Sequence, residues 1–228
     1  MKRIIFSVLI AAAFWFVMFF PHLGFSRNFW LLMTCASLTL TTLAIVFGGG
    51  PRLLFYGRKS ELGASLRMDW REFVLGTGIA AVLWGVFWLG DKCSQLLFDF
   101  ARPQVDLIYG IKDGTSSTLI GLLLLLIIGP GEEIFWRGYV QEHLGRHFVH
   151  RLGDTKKAQA KARNIAFVCA TVAYTLIHVS SLNFMLVMAA LVCGIAWGAL
   201  YRLMPQHFTA IVFSHALWDA AAFVWLPL

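Results

Sequence analysis

Charged residues are scarce in this chain. Asp, Glu, Lys and Arg make up 14% of its 228 residues, and 59% of the residues are hydrophobic. Soluble domains carry about 25% charged residues and about 45–50% apolar ones. The composition therefore excludes an ordinary soluble domain and predicts an all-α, polytopic membrane protein. The length suits one helical bundle of about six to eight spans, at about 20 residues each plus loops.

Cysteine patterns and nucleic-acid motifs are also missing. The four cysteines, Cys35, Cys93, Cys169 and Cys193, show neither metal-site spacing nor a disulfide framework, and we interpret them as small core residues. The net charge of +7 comes without a basic, aromatic stripe or a known nucleic-acid motif. We therefore expect no nucleic-acid partner, and we interpret the charge as a determinant of membrane topology.

Seven apolar runs predict seven helices. Most approach the length of a membrane span, and the fourth and fifth need neighbouring residues to reach it. The first run follows Lys2 and Arg3 and lacks a small-residue cleavage site, so we expect an uncleaved span rather than a signal peptide. The runs are residues 4–20, 29–47, 73–89, 117–128, 165–177, 182–201 and 208–226.

Two stretches between these runs are less apolar. Basic and apolar residues are interleaved over residues 51–71, which predicts an amphipathic segment on the membrane surface. Residues 90–115 are mixed and fit either a short helix or a re-entrant one. Because no internal repeat or linker is visible, we expect one structural domain. Its residues 1–114 would be N-terminal membrane helices, and residues 115–228 would be the core that holds the polar residues described next.

The basic residues are unevenly placed along the chain. If all seven runs cross the membrane, fifteen of the 19 Lys and Arg residues fall on the side of the N-terminus. The other side keeps only Arg27, Lys92, Arg102 and Lys112. Cytoplasmic loops carry an excess of Lys and Arg, so the bias predicts a cytoplasmic N-terminus. The count places Arg137 in the loop that follows the fourth run.

Two adjacent carboxylates follow the fourth apolar run. Glu132 and Glu133 are costly beside a membrane-length apolar stretch, and such groups mark functional sites by default. Arg137 lies four residues after Glu133 and can pair with it on one helical face. Glu132 points about 100° away on the helix and has no obvious partner. A desolvated carboxylate without a cation is suited to act as a general base.

Later spans contain three further polar residues. His178 ends the fifth run, and His215 and Asp219 are four residues apart on one face of the last. Counted from the flanking polar residues, Glu132, His178 and His215 each lie about 20 Å along their helices at 1.5 Å per residue. The three groups are therefore expected at one depth, around a buried polar cavity. The three histidines His143, His147 and His150 are instead expected at a solvated helix end.

These motifs, in this order, resemble those of the CPBP family, also called Abi. The family includes the type II CAAX prenyl endopeptidases and bacteriocin-processing and immunity proteins. The resemblance covers roughly residues 115–228. Tyr174 stands where Phe is commoner, and Asp219 stands where the prenyl endopeptidases have Asn. The motifs are Glu132-Glu133-x-x-x-Arg137, Tyr174-x-x-x-His178 and His215-x-x-x-Asp219.

The resemblance implies an intramembrane endopeptidase of glutamate type. Glu132, with His178, would activate a water molecule, and Arg137 would clamp Glu133. His215 and Asp219 would orient or stabilise the developing oxyanion, which is a large catalytic term in other hydrolases. Because an ionised Asp219 would repel an oxyanion, we expect it to carry a proton or to hold the tautomer of His215.

Three alternatives remain open at this point. His178, His215 and a carboxylate could bind zinc, although no His-Glu-x-x-His pair is present, so no cofactor is expected. The chain could also be a non-catalytic scaffold or a bacteriocin-immunity protein of the same fold. A transporter would bury Glu and His too, but paired broken helices in related halves are not visible.

The expected partners are the lipid bilayer and a membrane-associated peptide or protein substrate. The basic inner surface suggests that the substrate approaches from the anionic leaflet. A prenylated C-terminus, a bacteriocin leader and a C-terminal sorting tag all remain possible substrates. The expected location is the bacterial cytoplasmic membrane.

Overall fold

The computed structural model describes residues 1–19, 28–48 and 69–228, and the regular structure within these ranges is entirely helical. Seven of the eight helices in the described ranges, all except α4, are long and apolar enough to cross a membrane. The predicted polytopic helical bundle is thus confirmed. The helices are α1 (Lys2–Phe19), α2 (Phe29–Gly48), α3 (Trp70–Leu97), α4 (Ala101–Tyr109), α5 (Ser117–Leu152), α6 (Lys156–Ser181), α7 (Phe184–Leu203) and α8 (Pro205–Trp225).

Helix α5 lies at the centre of the bundle and packs against α2, α6 and α8. Its most apolar window is 56% buried, compared with 17% for α3 at the periphery. Large apolar side chains such as Leu126, Val82 and Val172 are exposed, as expected for helices that face lipid. The most protected positions in the bundle are therefore on α5, the helix that carries the two glutamates.

Basic residues gather at one end of the bundle. There the start of α1 meets the end of α2, and the Arg3 guanidinium lies 5.6 Å from the centre of the Phe47 ring. We call this the basic end; its described Lys and Arg residues are Lys2, Arg3, Arg71, Arg146, Arg151, Lys156, Lys157, Lys161, Arg163 and Arg202. The distribution follows the predicted bias, and the cytoplasmic location of this end stays a prediction.

The structure departs from the sequence interpretation at Arg137. That residue was counted with a basic loop, but it is 2% exposed and lies in the middle of α5. The helix does not end at the glutamates, because it continues without a break to Leu152. Arg137 is therefore a buried site residue and carries no information about topology.

The predictions for the two less apolar stretches, residues 51–71 and 90–115, have different outcomes. Within residues 90–115, α3 continues to Leu97 and is followed by the short helix α4, so the short-helix alternative applies. The predicted amphipathic segment 51–71 lies almost wholly outside the described residues. Its last three residues are described, and there Asp69 caps α3 by accepting a hydrogen bond from the Arg71 backbone N–H.

Helix α5 is distorted on both sides of the glutamates. Residues Leu124–Ile128 and Ile134–Gln141 form wider π-helical turns. Pro130 lies between these turns and has no backbone N–H, so a regular α-helical ladder is interrupted at this point. The Gly129 N–H bonds to the carbonyl of Leu124, five residues back. Such π-turns occur frequently at functional sites.

Two glycines flank Pro130 and let neighbouring helices approach closely. A Cβ on Gly129 would lie 2.6 Å from Ala216 Cα on α8, and one on Gly131 would lie 2.6 Å from Ser37 Oγ on α2. Ser37 in turn donates to the Ile128 carbonyl of the π-helical turn, at 3.2 Å. Small residues permit such backbone contacts between membrane helices. The glutamates are thereby held at fixed positions against α2 and α8.

A methyl group at Gly129 should separate α5 from α8. We expect Gly129→Ala to lower the free energy of unfolding by about 1–3 kcal/mol, because the contact is with backbone that cannot rotate away. Gly85→Ala on α3 is the matched control, since a Cβ there meets nothing within 4 Å. Thermal unfolding in detergent measures both variants. Equal melting temperatures for the two would contradict the close approach.

Candidate active site

Glu132 lies on α5 and faces α6. It is 5% exposed, and its Oε2 accepts a hydrogen bond from the Tyr174 hydroxyl at 3.0 Å. Within the described part of the chain, no cation forms an ion pair with this carboxylate, and Oε1 accepts no hydrogen bond. Glu132 thus has unused acceptor capacity in a nearly dry environment.

Glu133 has different surroundings, although it is the next residue. Its side chain is fully buried, and its Oε1 lies 2.9 Å from Arg137 Nη1 and 2.7 Å from His215 Nδ1. The pair with Arg137 is the one that the four-residue spacing predicted. Oε2 of Glu133 is buried without a hydrogen-bond partner among the described residues. Glu133 therefore joins α5 to α8 through His215, a contact that the sequence did not reveal.

Arg137 connects three helices. Its Nη2 donates to the Cys193 carbonyl of α7 at 3.3 Å. Its guanidinium lies 4.9 Å from the centre of the Tyr174 ring on α6, close enough for a cation–π contact. With Glu133, these contacts fix the positive charge at the centre of the bundle.

His215 is held between two carboxylates and one aromatic ring. Nδ1 faces Glu133, and Nε2 lies 3.4 Å from Asp219 Oδ2. The imidazole stacks on Trp197 with ring centres 3.7 Å apart and planes 12° apart. Asp219 has the loosest contact and the most exposed side chain of the predicted site residues, at 18%. The shorter contact indicates that Glu133, more than Asp219, orients this imidazole.

His178 uses both ring nitrogens in the structure. Nδ1 lies 2.8 Å from the Tyr174 carbonyl, which can only accept, so this nitrogen carries the hydrogen. Nε2 is then an acceptor, and the Trp15 indole N–H donates to it at 3.0 Å. The tautomer of His178 is therefore set by α6 and α1. The lone pair that a base would use is occupied by Trp15.

The predicted residues of α5, α6 and α8 come together in one buried network. Tyr174 is its link on α6, because its hydroxyl contacts Glu132 and its ring lies 5.0 Å from the His178 ring. Glu133 is the link to α8 through His215. In the described ranges, no hydrogen bond joins Glu132 directly to His178. Glu132 and His178 are therefore linked through Tyr174, and their predicted convergence on one cavity stays a prediction.

The side chains that could bind zinc are not arranged as a metal site in the described ranges. In the three described ranges, no three His, Cys, Asp or Glu side chains lie close enough together to hold a metal ion. Both nitrogens of His178 face protein groups, and those of His215 face carboxylates. The residues present thus do not fit a zinc site in this arrangement. The expectation of a metal-free reaction stays a prediction.

The family model described as type II CAAX prenyl endopeptidase Rce1-like matches residues 114–221. That segment is Rce1-like. Over these residues the match confirms the resemblance to the CPBP family and to CAAX-protease-like membrane proteases. No curated protein and no solved structure matches the chain.

The Rce1-like segment contains all six predicted site residues and most of their contacts. One departure from the commoner motif has a visible use here, because the hydroxyl that Tyr174 adds to a phenyl ring is the group that contacts Glu132. Trp15 lies outside the segment, on α1. A helix beyond the matched region therefore contributes to the candidate site.

The sequence did not predict two residues of the candidate site. They are Trp15 and Trp197, neither of which the motifs single out. Both are buried, at 1% and 0% exposure, and both contact a histidine of the network. Trp197 also donates its N–H to Ser214 Oγ, next to His215. The available signal was that each lies inside an apolar run, four or five residues from its end, whereas interface anchors belong at the ends.

Removing the indole N–H of Trp15 tests its hydrogen bond to His178. We expect Trp15→Phe to shift the ¹⁵N resonance of His178 Nε2 and to cost about 1–3 kcal/mol of stability, because a buried acceptor loses its donor. Trp88→Phe on α3 is the control, since that side chain is 47% exposed. An unchanged Nε2 resonance in the Trp15 variant would show that the contact is absent in the membrane.

Proposed function

We propose that this chain is an intramembrane endopeptidase in which Glu132 is the general base. The observation that carries the proposal is the contrast between the two adjacent glutamates. Glu133 is neutralised by Arg137 and held by His215, whereas Glu132 has no cation and keeps Oε1 free. One carboxylate organises the site, and the other is available for chemistry. The relationship to CAAX-protease-like membrane proteases supports this reaction class.

In the proposed reaction, a water molecule enters beside Glu132 Oε1. The carboxylate takes one proton from the water, and the oxygen attacks the carbonyl carbon of the scissile peptide bond. The tetrahedral intermediate then collapses, the C–N bond breaks, and Glu132 returns the proton to the leaving amine. A positioned acid–base group of this kind contributes about 10²–10⁴-fold to the rate.

His215 is the group we propose for the oxyanion. Its Nδ1 is engaged by Glu133, while Nε2 has only the long contact with Asp219. We propose that both nitrogens of His215 carry a hydrogen, so that an oxyanion entering from the exposed side of Asp219 accepts a hydrogen bond from Nε2–H. Since three carboxylates surround one guanidinium, we propose that Asp219 carries a proton in the working site. It then does not repel the developing negative charge.

The proposed role of His178 requires a movement of Trp15. A water molecule can reach Nε2 only at the position that the indole N–H now occupies. We propose that the Trp15 side chain moves away from His178 Nε2 when substrate enters. His178 and Glu132 then both contact the reacting water. The substrate would be a membrane-associated peptide, and the basic end of the bundle would face the cytoplasm, in a bacterial inner membrane.

The experiment is a comparison of membrane peptides from cells that carry the wild-type protein or Glu132→Ala. Peptides cleaved only in wild-type cells identify the substrate, and their absence from both samples would argue for a scaffold. Metal analysis of the purified active protein, with chelation and metal restoration, tests the metal-free mechanism. Stoichiometric zinc whose removal abolishes activity and whose return restores it would overturn the proposed role of Glu132.

A further inference from the structure

A pocket with two arginines in its wall lies at the basic end of the bundle, away from the candidate active site. It is a partly open depression between α5, α6, α7 and the start of α8, and about 260 Å³ in and above it is free of protein atoms, open solvent included. Gln141 in its wall is eight residues beyond Glu133, or about 12 Å along α5 at 1.5 Å per residue. The pocket is lined by Gln141, Gly145, Arg163, Ala166, Tyr201, Arg202 and Pro205.

Two arginines give this pocket a positive charge without a matching acid. Within the described ranges, neither Arg163 nor Arg202 has a carboxylate at ion-pair distance. Both arginines line the same pocket, so two like charges share it. Arg202 uses Nε to contact Asn164, which leaves its Nη groups for a ligand. Two neighbouring positive charges without a counter-ion lower the stability of the fold, and a bound anion would remove that cost.

The nearest acid is already neutralised. Glu142 precedes this turn of α5, and its Oε1 pairs with Arg146 at 2.9 Å. Its Oε2 accepts a hydrogen bond from the Tyr201 hydroxyl at 2.9 Å. Glu142 is therefore unavailable to Arg163 and Arg202, and its charge does not cancel theirs.

Two buried atoms of the pocket residues have no hydrogen-bond partner in the described part of the chain. Arg163 Nε is a donor, and Gln141 Oε1 is an acceptor on a side chain that is 4% exposed. The Gln141 amide is fixed, because its Nε2 donates to the Gly198 carbonyl at 2.9 Å. A ligand that satisfies both atoms must carry an acceptor oxygen for Arg163 Nε–H and a donor, such as a hydroxyl, for Gln141 Oε1.

We propose that this pocket binds a phosphate group, with an adjacent hydroxyl that donates to Gln141 Oε1. Arginine guanidiniums match phosphate oxygens in geometry and charge. The hydroxyl is either that of a glycerol headgroup on an anionic lipid or the P–OH of free phosphate. Leu203, beside Arg202, is 74% exposed, so the pocket opens next to a lipid-facing surface. Basic pockets between membrane helices bind such headgroups.

The test uses the purified full chain in phosphatidylcholine nanodiscs. One arm adds phosphatidylglycerol in phosphate-free buffer, and a second adds inorganic phosphate without anionic lipid. Binding is measured by the shift in melting temperature and by native mass spectrometry of retained lipid. The variants are Arg163→Gln, Arg202→Gln and the double variant. Arg151→Gln is the control, since it removes an equal charge from the basic end at an exposed position outside the pocket.

We expect the double variant to weaken binding at least about tenfold, because charge-assisted hydrogen bonds are lost. Arg151→Gln should leave binding unchanged. A response in the lipid arm identifies a headgroup site, and a response in the phosphate arm alone identifies free phosphate. Equal losses in the double variant and the control would overturn the proposal. An equal response to sulfate would also overturn it, because sulfate has no hydroxyl at neutral pH to donate to Gln141.

Discussion

Glu132→Gln is expected to lower proteolysis at least about 100-fold while the protein stays folded, because a general base contributes about 10²–10⁴-fold. The substitution preserves the size of the side chain, and its amide oxygen can still accept from Tyr174. Only the ability to take a proton is lost. The measurement is the cleavage rate of a peptide from the proteomic comparison, normalised to folded protein in detergent.

Glu142→Gln is the matched control for this experiment. Glu142 is also a buried glutamate of α5, but it is bound by Arg146 and Tyr201 and lies outside the network. Its replacement should reduce the amount of folded protein and leave the rate per folded molecule unchanged. If Glu132→Gln keeps more than about a tenth of the wild-type rate, the general base must be another group.

Local spacing predicted the contacts that lie within one helix. Glu133 and Arg137 pair at 2.9 Å, and His215 and Asp219 lie 3.4 Å apart, each four residues apart in sequence. The helix period alone determines that such side chains share a face. Hydrophobic run length likewise predicted the seven candidate spans, because the bilayer thickness sets the length of a crossing helix.

Contacts between helices were not accessible in the same way. Trp15 and His178 are 163 residues apart, and Glu133 and His215 are 82 apart. Periodicity shows which face of a helix is buried, but it does not show which neighbouring helix covers that face. The matched depth of the polar groups predicted their level in the bundle. It could not show that Tyr174 would lie between Glu132 and His178.

The π-helical turns of α5 are a second feature that the spacing could not give. A straight helix places Glu132 and Glu133 about 100° apart. The distorted turns around Pro130 decide how that pair sits against α2 and α8. Proline signals a missing hydrogen bond, and the tertiary contacts at Gly129 and Gly131 determine how the helix accommodates it.

Breaking the Glu133–Arg137 pair should cost both stability and activity. We expect Glu133→Gln or Arg137→Gln alone to lower the free energy of unfolding by about 3–5 kcal/mol, because each leaves an uncompensated buried charge. Activity should fall as well, since Glu133 also holds His215 at 2.7 Å. Equilibrium unfolding in mixed detergent micelles measures the first effect, and the rate per folded molecule measures the second.

The double variant Glu133→Gln/Arg137→Gln shows whether the two residues stabilise the fold as a pair or independently. Removing both charges leaves neither partner of the pair buried alone, so the cost of the double variant should be smaller than the sum of the single costs by about 0.5–3 kcal/mol. Arg102 and Asp106 provide the control pair, with the same four-residue spacing and a 2.6 Å contact at the surface. Exposed pairs contribute about 0–1 kcal/mol, so the same cycle there should show little coupling.

Arg137→Lys tests whether a positive charge alone is sufficient for the role of Arg137 in holding Glu133. A lysine keeps the positive charge but lacks the planar group that contacts Glu133, the Cys193 carbonyl and the Tyr174 ring together. We therefore expect a stability between those of the wild type and Arg137→Gln, with activity that remains low. A fully stable but inactive Arg137→Gln protein would contradict the clamp. The guanidinium would then act on the substrate rather than on Glu133.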